Sequence, residues 1–353
     1  MKLYLIDLYE RIKNSSLIKK LLLLLILLIQ IFLLVISLVK VNVEVTTPGS
    51  LNNPVSSITI DDSNDRGYIA SISIYSYKKI SLIQYWLSKN NNRFEVEEID
   101  ETYYLNDKDE TTQGKIMKDN SITLALINAY KKAQEVDSTI EIDLDSLYSG
   151  ESVIAIYSFS KTTLKYNDII TKVNGVSFIN HDEFINLVRE NSENVIKFTV
   201  KRNDKESVET AELIEHDGLL SYGFSVDSNY NLPKTKPNYS IEASYKTIGP
   251  SGGSMTALAI YNMLLDIDIT KGYKITGTGT IDIDGNIGRI GGVSQKILTA
   301  KLYGVDLFFV DSGDYEEALI AYNKYNCDYK LVSVSEFSDI INYLSELEAK
   351  NGN

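Results

Sequence analysis

The sequence predicts a multidomain chain of α/β and α+β type behind an N-terminal transmembrane helix. Three observations predict it. Leu21 to Val39 is apolar apart from Gln30 and Ser37. Residues 140–214 read as short strands around one helix, an α+β order. From Lys274 onward strand and helix patterns alternate, as in a compact α/β layer.

Composition bounds the function. A chain of 353 residues has room for two or three domains and a sizeable core. Its 44% apolar and 24% charged residues are ordinary for a globular protein. A net charge of −13 argues against a general nucleic-acid binder, which needs a basic face. A GxxxxGK[ST] phosphate loop is missing: Gly114-Lys115 is followed by Ile116, and Gly252-Gly253 by Ser254. ATP hydrolysis is therefore not expected. Cys327 is the only cysteine, so it forms no intramolecular disulfide and reads as a small buried apolar side chain. His181 and His216 are too few for a histidine-rich zinc site. No metal and no cofactor are expected.

At 1.5 Å per residue, Leu21 to Val39 spans about 28 Å, close to the hydrocarbon core of a bilayer. Lys2, Arg11, Lys13, Lys19 and Lys20 precede it, whereas Lys40 is the only base before Arg66. The positive-inside rule then keeps residues 1–20 in the cytoplasm and places everything after Lys40 outside. A cleaved signal peptide is the alternative. Its apolar region is usually shorter and ends in small residues, whereas Val39-Lys40-Val41-Asn42-Val43 follows here.

Residues 42–138 form an N-terminal extracytoplasmic region. Val41, Val43 and Val45 alternate as in a strand, and Tyr68 to Tyr77 reads as another. Ser81 to Lys89 and Ile122 to Ala133 have helical periodicity, with Asp107 to Gln113 as an exposed polar loop between them. The acidic run from Glu95 to Glu101 lacks the spacing of a calcium loop and reads as a solvated face.

Residues 140–214 carry Leu164-Lys165-Tyr166-Asn167-Asp168-Ile169-Ile170, then Thr171-Lys172-Val173-Asn174-Gly175. This run resembles the core of PDZ domains, with Asn167 where that family has glycine. Asparagine is the next best residue for a left-handed backbone. His181 to Asn191 then supplies a helix, Val195 to Arg202 a strand, and Ser152 to Ser158 the candidate peptide-binding strand. The resemblance implies capture of an extended peptide as an added strand. Glu215-His216-Asp217-Gly218 is a polar turn, and Asn229 to Asn238 an exposed loop into the last domain, residues 220–348.

Gly249-Pro250-Ser251-Gly252-Gly253 leads into Met255 to Leu265, which is apolar nearly all round and reads as a buried helix. Glycines here allow a sharp turn and close approach of a substrate. The helix N-terminus offers amides to a developing oxyanion; Pro250 has none, so they are expected from Ser251 or nearby loop residues. Taken alone, a serine before a helix also reads as a plain cap. Ile281 to Ile287 is a hairpin with Asp284-Gly285 at its turn, and Gly291-Gly292 then opens a helix holding Lys296. A buried lysine loses its proton more readily and can serve as a base, and serine with such a lysine forms a Ser–Lys dyad.

Residues 241–340 resemble the proteolytic domain of Lon-type peptidases. Gly249-Pro250-Ser251-Gly252-Gly253 is similar to that family's Gly-Pro-Ser-Ala-Gly, and Gly291-Gly292-Val293-Ser294-Gln295-Lys296 to its lysine motif. The resemblance implies Ser251 as nucleophile and Lys296 as general base, supported by Thr278, Gly249, Gly252 and Gly253. Thr247-Ile248 stands where the family often has Lys-Asp, so an acid there is missing. The whole order resembles membrane-anchored, PDZ-containing Lon-like peptidases. That implies ATP-independent cleavage of protein or peptide substrates outside the membrane, and a homo-oligomer, often a hexameric ring. Two rival readings are a non-catalytic, membrane-anchored peptide-binding scaffold and a hydrolase using His216 and Asp217.

Overall fold

Helix α1 (Leu17–Leu38) runs 22 residues, about 33 Å, and buries none of them. It belongs to a computed structural model that describes residues 13, 16–63, 66–100, 103, 105–242, 247–265 and 267–350. The helix is long and apolar enough to cross a membrane, a test that a signal sequence near an N-terminus also passes. Lys2 and Arg11, which carry much of the expected charge asymmetry, lie outside the described residues. The chain divides into two units, Met1–Thr47 with Tyr75–Ile99, and Pro48–Ile74 with Asp100–Asn353.

In the first unit the start of β1 (Val43–Asn52), the end of β2 (Tyr68–Lys78), α2 (Leu82–Lys89) and β3 (Glu95–Glu98) follow α1. β1 and β3 pair antiparallel with Val45 opposite Val96. Val43, Val45 and Ile80 are buried against Tyr85, Phe94 and Val96. Ser81 and Gln84 cap α2 reciprocally, so the helix starts where its donors are satisfied. The acidic run is thus partly a strand whose valine packs inward while its glutamates edge toward solvent.

The second unit begins with the rest of β1 and β2 and continues into α3 (Asp107–Val136). Asp107 to Gln113, expected as a polar loop, forms the first turns of this helix. The cause is local: Asn106 accepts from the Lys108 and Asp109 amides, and Asp107, Asp109 and Glu110 complement the positive helix end. Further on, α5 (Gly253–Leu264), β9 (Lys274–Thr278), α6 (Val293–Tyr303), β10 (Leu307–Asp311), α7 (Tyr315–Lys324), β11 (Lys330–Val334) and α8 (Phe337–Glu346) alternate. Between them, in sequence, lie β4 (Tyr148–Ile156), β5 (Ile169–Val173), α4 (His181–Arg189), β6 (Val195–Arg202), β7 (Lys205–Glu212) and β8 (Phe224–Tyr230).

One sheet of this unit runs β11-β10-β9-β2-β1. β9 is parallel to both β2 and β10, with Gly277 opposite Ser71 and Phe309. Helices cover both faces, which explains the unbroken apolar run of β10. Leu307 and Phe309 join a core with Leu126, Tyr130, Met255, Leu258 and Phe337. Phe308 and Val310 face the other way, toward Val293, Ile297 and Ala318. Alternate side chains of one strand thus serve two cores. A Cβ at Gly277 would lie 2.7 Å from Phe309 O, so this strand needs its glycine for close approach.

The other sheet runs β7-β6-β5-β4-β8. Val153, Ile170, Phe184, Phe198 and Val200 form its core beneath α4. Asn167 has φ +65°, the left-handed conformation expected of it. Asp168 next to it is buried and takes Arg202 Nε and Nη2, each at 2.6 Å. β4 lies between β5 and β8 with both sides paired. β8 pairs along one side of Ser152 to Ile156 and β5 pairs on the other at Glu151 and Ser152, so the strand expected to receive a peptide is internal rather than the sheet's edge. The edge beside α4 belongs to β8, which occupies part of the expected 229–238 loop and the residues before it.

Candidate active site

Gly249 has φ +86°, a conformation side chains rarely adopt. The chain turns there, Gly253 N–H donates to Pro250 O at 2.9 Å, and α5 starts at Gly253 behind the cap Gly252. Two hydrogen bonds from α3 hold the turn: Gly249 N–H to Gly114 O at 2.8 Å, and Ser121 Oγ to Pro250 O at 3.2 Å. Close packing demands small residues. A Cβ at Gly252 would stand 3.2 Å from Ser71 Cβ, and one at Gly253 2.8 Å from Ser121 Oγ. Ser71 on β2 thus crowds position 252, which is glycine here where the resembling motif has alanine.

Ser251 sits partly exposed at the head of this turn. Its carbonyl accepts from Gly279 N–H at 2.9 Å and from Thr278 Oγ1 at 3.1 Å. Thr278 Oγ1 in turn accepts from Lys296 Nζ at 3.1 Å. Thr278 closes β9 and Lys296 lies one turn into α6, and they are only 1% and 3% exposed. Among the described residues no hydrogen bond joins Ser251 Oγ to Lys296 Nζ; Thr278 links the two residues.

Burial is the larger influence on Lys296 and pulls its ammonium down from the ordinary value to about 8. The negative charge of Asp314 pulls the other way. Asp314 is itself buried, holding Arg289 Nε at 2.7 Å and the Ile290 amide at 2.8 Å. Above pH about 8 the neutral amine predominates, the form that can accept a proton. Among the described residues the backbone N–H groups of Ser251 and Gly252 have no hydrogen-bond partner. Both stand at the positive end of α5, and two unpaired amides beside a hydroxyl suit an oxyanion.

The structure thus brings together Ser251, Thr278, Lys296 and the three glycines 249, 252 and 253. His216 does not join them: its ring stacks on Phe159 at 4.0 Å, with Asp217 Oδ2 at 3.7 Å. Sequence reading missed Ser71, Ser121 and Asp314, each brought in by long-range packing. Gly114 did leave a signal, an isolated glycine in a helical run; a Cβ there would meet Ile248 Cδ1 at 2.8 Å.

In a peptidase working through Ser251 and Lys296, Thr278→Val is expected to lower kcat about 10- to 100-fold, the loss of one buried, charge-assisted hydrogen bond, with KM little changed. Thr278→Ser, which keeps the hydroxyl, should restore most of the rate. Steady-state kinetics on a fluorogenic peptide check this.

The family described as the Lon protease (S16) C-terminal proteolytic domain matches residues 241–345. The chain is 29% identical to an archaeal Lon protease of Methanocaldococcus jannaschii, over 31% of this chain and 16% of that protein. It is 22% identical to the Lon protease of Aster yellows witches'-broom phytoplasma, over 65% of this chain and 32% of that one. Identity to the Lon protease of Campylobacter concisus is 28%, over 26% and 11%. The chain spans about a third or less of the length of these relatives.

Proposed function

We propose that this chain is an ATP-independent, membrane-anchored serine endopeptidase with a Ser251–Lys296 dyad. The observation that carries the proposal is Lys296, a buried amine with a lowered pKa, tied through Thr278 to the carbonyl of the partly exposed Ser251. The match of residues 241–345 to the Lon proteolytic domain supports it. Neutral Lys296 takes the Ser251 hydroxyl proton as Oγ attacks the peptide carbonyl. The oxyanion rests against the Ser251 and Gly252 amides. The new ammonium gives its proton to the leaving amine, and water, activated by the same lysine, then hydrolyses the acyl-enzyme.

In this proposal α1 is an uncleaved single-pass anchor, with the N-terminus cytoplasmic and the catalytic domain extracytoplasmic. The β4–β8 sheet with α4 acts as the PDZ-like domain. A groove of about 550 Å³ runs between Phe184, Ile185 and Val188 of α4 and Phe224 and Val226 of β8. The unpaired edge of β8 suits a peptide added as a strand. Assembly as a homo-oligomeric ring, a hexamer, belongs to the same proposal.

The test is digestion of casein by the full chain in detergent micelles at pH 8.5. Fragments should appear without nucleotide, at a rate that ATP does not change. A wild-type chain inert in both micelles and liposomes sinks the peptidase proposal in favour of a peptide-binding scaffold.

A further inference from the structure

A cavity of about 290 Å³ lies beside the catalytic turn. Its walls are Met117, Asn120 and Leu124 of α3, Asp227 of β8, Pro250 just before the nucleophile, and Ile281. Residues 117, 120 and 124 share one helix face, so α3 presents them together. The wall at Ile281 continues from Gly279, whose amide holds the Ser251 carbonyl. The cavity is thus built onto the same backbone that positions Ser251.

Its chemistry is divided. Met117, Leu124, Pro250 and Ile281 make most of it apolar. At one end Asn120 Nδ2 donates to Asp227 Oδ2 at 3.1 Å and to Ser228 O at 2.8 Å. This arrangement leaves Asn120 Oδ1 buried with no hydrogen-bond partner. Burial pushes the Asp227 carboxyl above the usual range; the Asn120 hydrogen bond lowers it and the charge of Glu151 raises it. The Ser228 amide and the His181 charge also lower it, yet burial prevails. A buried acceptor without a donor and a carboxyl held back from its charged form are both costly as they stand.

An apolar guest would leave Asn120 Oδ1 unpaired, and an acidic guest would add repulsion to Asp227. A long aliphatic stem ending in a cation satisfies each part: the stem lies along Met117, Leu124 and Ile281, and the head donates to Asn120 Oδ1 and Asp227. The geometry points to this cavity as the side-chain subsite beside Ser251, selecting substrates with lysine or arginine there. The inference rests on the peptidase reading of Ser251 and Lys296.

The test is digestion of a peptide library by the full chain in detergent, with cleavage sites identified by mass spectrometry. Lysine and arginine should be enriched at one fixed position from the scissile bond. At that position lysine should exceed its uncharged counterpart norleucine at least tenfold in kcat/KM. Asp227→Asn should collapse that ratio at least tenfold. Met117→Trp, which fills the cavity, should depress cleavage of lysine peptides relative to glycine peptides. Cleavage with no basic preference, or a ratio unmoved in a folded Asp227→Asn chain, overturns the subsite. A library left intact overturns the peptidase reading instead, so the two failures are distinguishable.

Discussion

Lys296→Met should reduce peptide hydrolysis about 1,000-fold or more, because in the proposed mechanism it removes the base that serves Ser251 while keeping the volume of the side chain. In the wild type, kcat/KM should rise with pH and level off above an inflection near the lysine's pKa of about 8. The residual activity of the variant should lose that inflection. The substitution itself should affect stability in the opposite direction to activity. Lys296 binds its proton less tightly folded than unfolded, so below pH about 8 its burial costs the fold its full penalty. That penalty is about 3 kcal/mol for a shift of this size. It shrinks as pH rises through 8 and vanishes above the ordinary lysine value. The methionine variant should therefore melt higher than the wild type at pH 7 and no higher near pH 10.5. Thermal melts across this window check it, and a variant that melts lower at pH 7 would contradict the buried, strained amine.

Ser251→Ala should abolish cleavage to a similar extent, again about 1,000-fold or more. The fold should not notice. The hydrogen bonds that Ser251 contributes run through its backbone carbonyl, to Gly279 and Thr278, and alanine keeps them. Melting temperature should stay within about 1 °C, since no buried group loses a partner. Substrate should still bind, so a fluorescent peptide should titrate the variant without turnover. Ser254 on the first turn of α5 provides the control. It is fully buried, and Ser254→Ala should keep the inflection near pH 8. Activity that survives Ser251→Ala but not Ser254→Ala would reassign the nucleophile.

How far the sequence reveals this site differs by residue. Local chemistry was legible: Gly249 turns left-handed, α5 starts where the glycines end, and Asn167 takes the conformation that its substitution for glycine suggests. Lys296 was legible as a candidate base through its resemblance to the family's lysine motif, but its burial was not, because that depends on β9 and on Thr278, many residues away. What stayed hidden is what pairing over distance supplies. Nothing near Tyr68 marks β2 as a neighbour of β9, and nothing near Ser71 announces contact with Gly252. The resemblance to PDZ domains identified Ser152 to Ser158 as a strand but said nothing of its partners, and an edge strand differs from an internal one only in what lies beside it. The polar start of α3 misled because its charges favour a helix terminus as much as a loop.

The pairing of β2 with β9 bears on when the proposed active site comes into being. Thr276 Oγ1 donates to Ala70 O at 2.8 Å, between residues 206 apart in the chain. Contacts of such separation form late, because so much chain must be ordered before they reward it. During synthesis β1, β2 and α3 emerge first and wait for β9, β10 and β11 to insert beside them. A nascent or truncated chain thus has its serine turn without the sheet that seats the lysine. In the proposed mechanism the serine turn then has no base until β9 and α6 are in place.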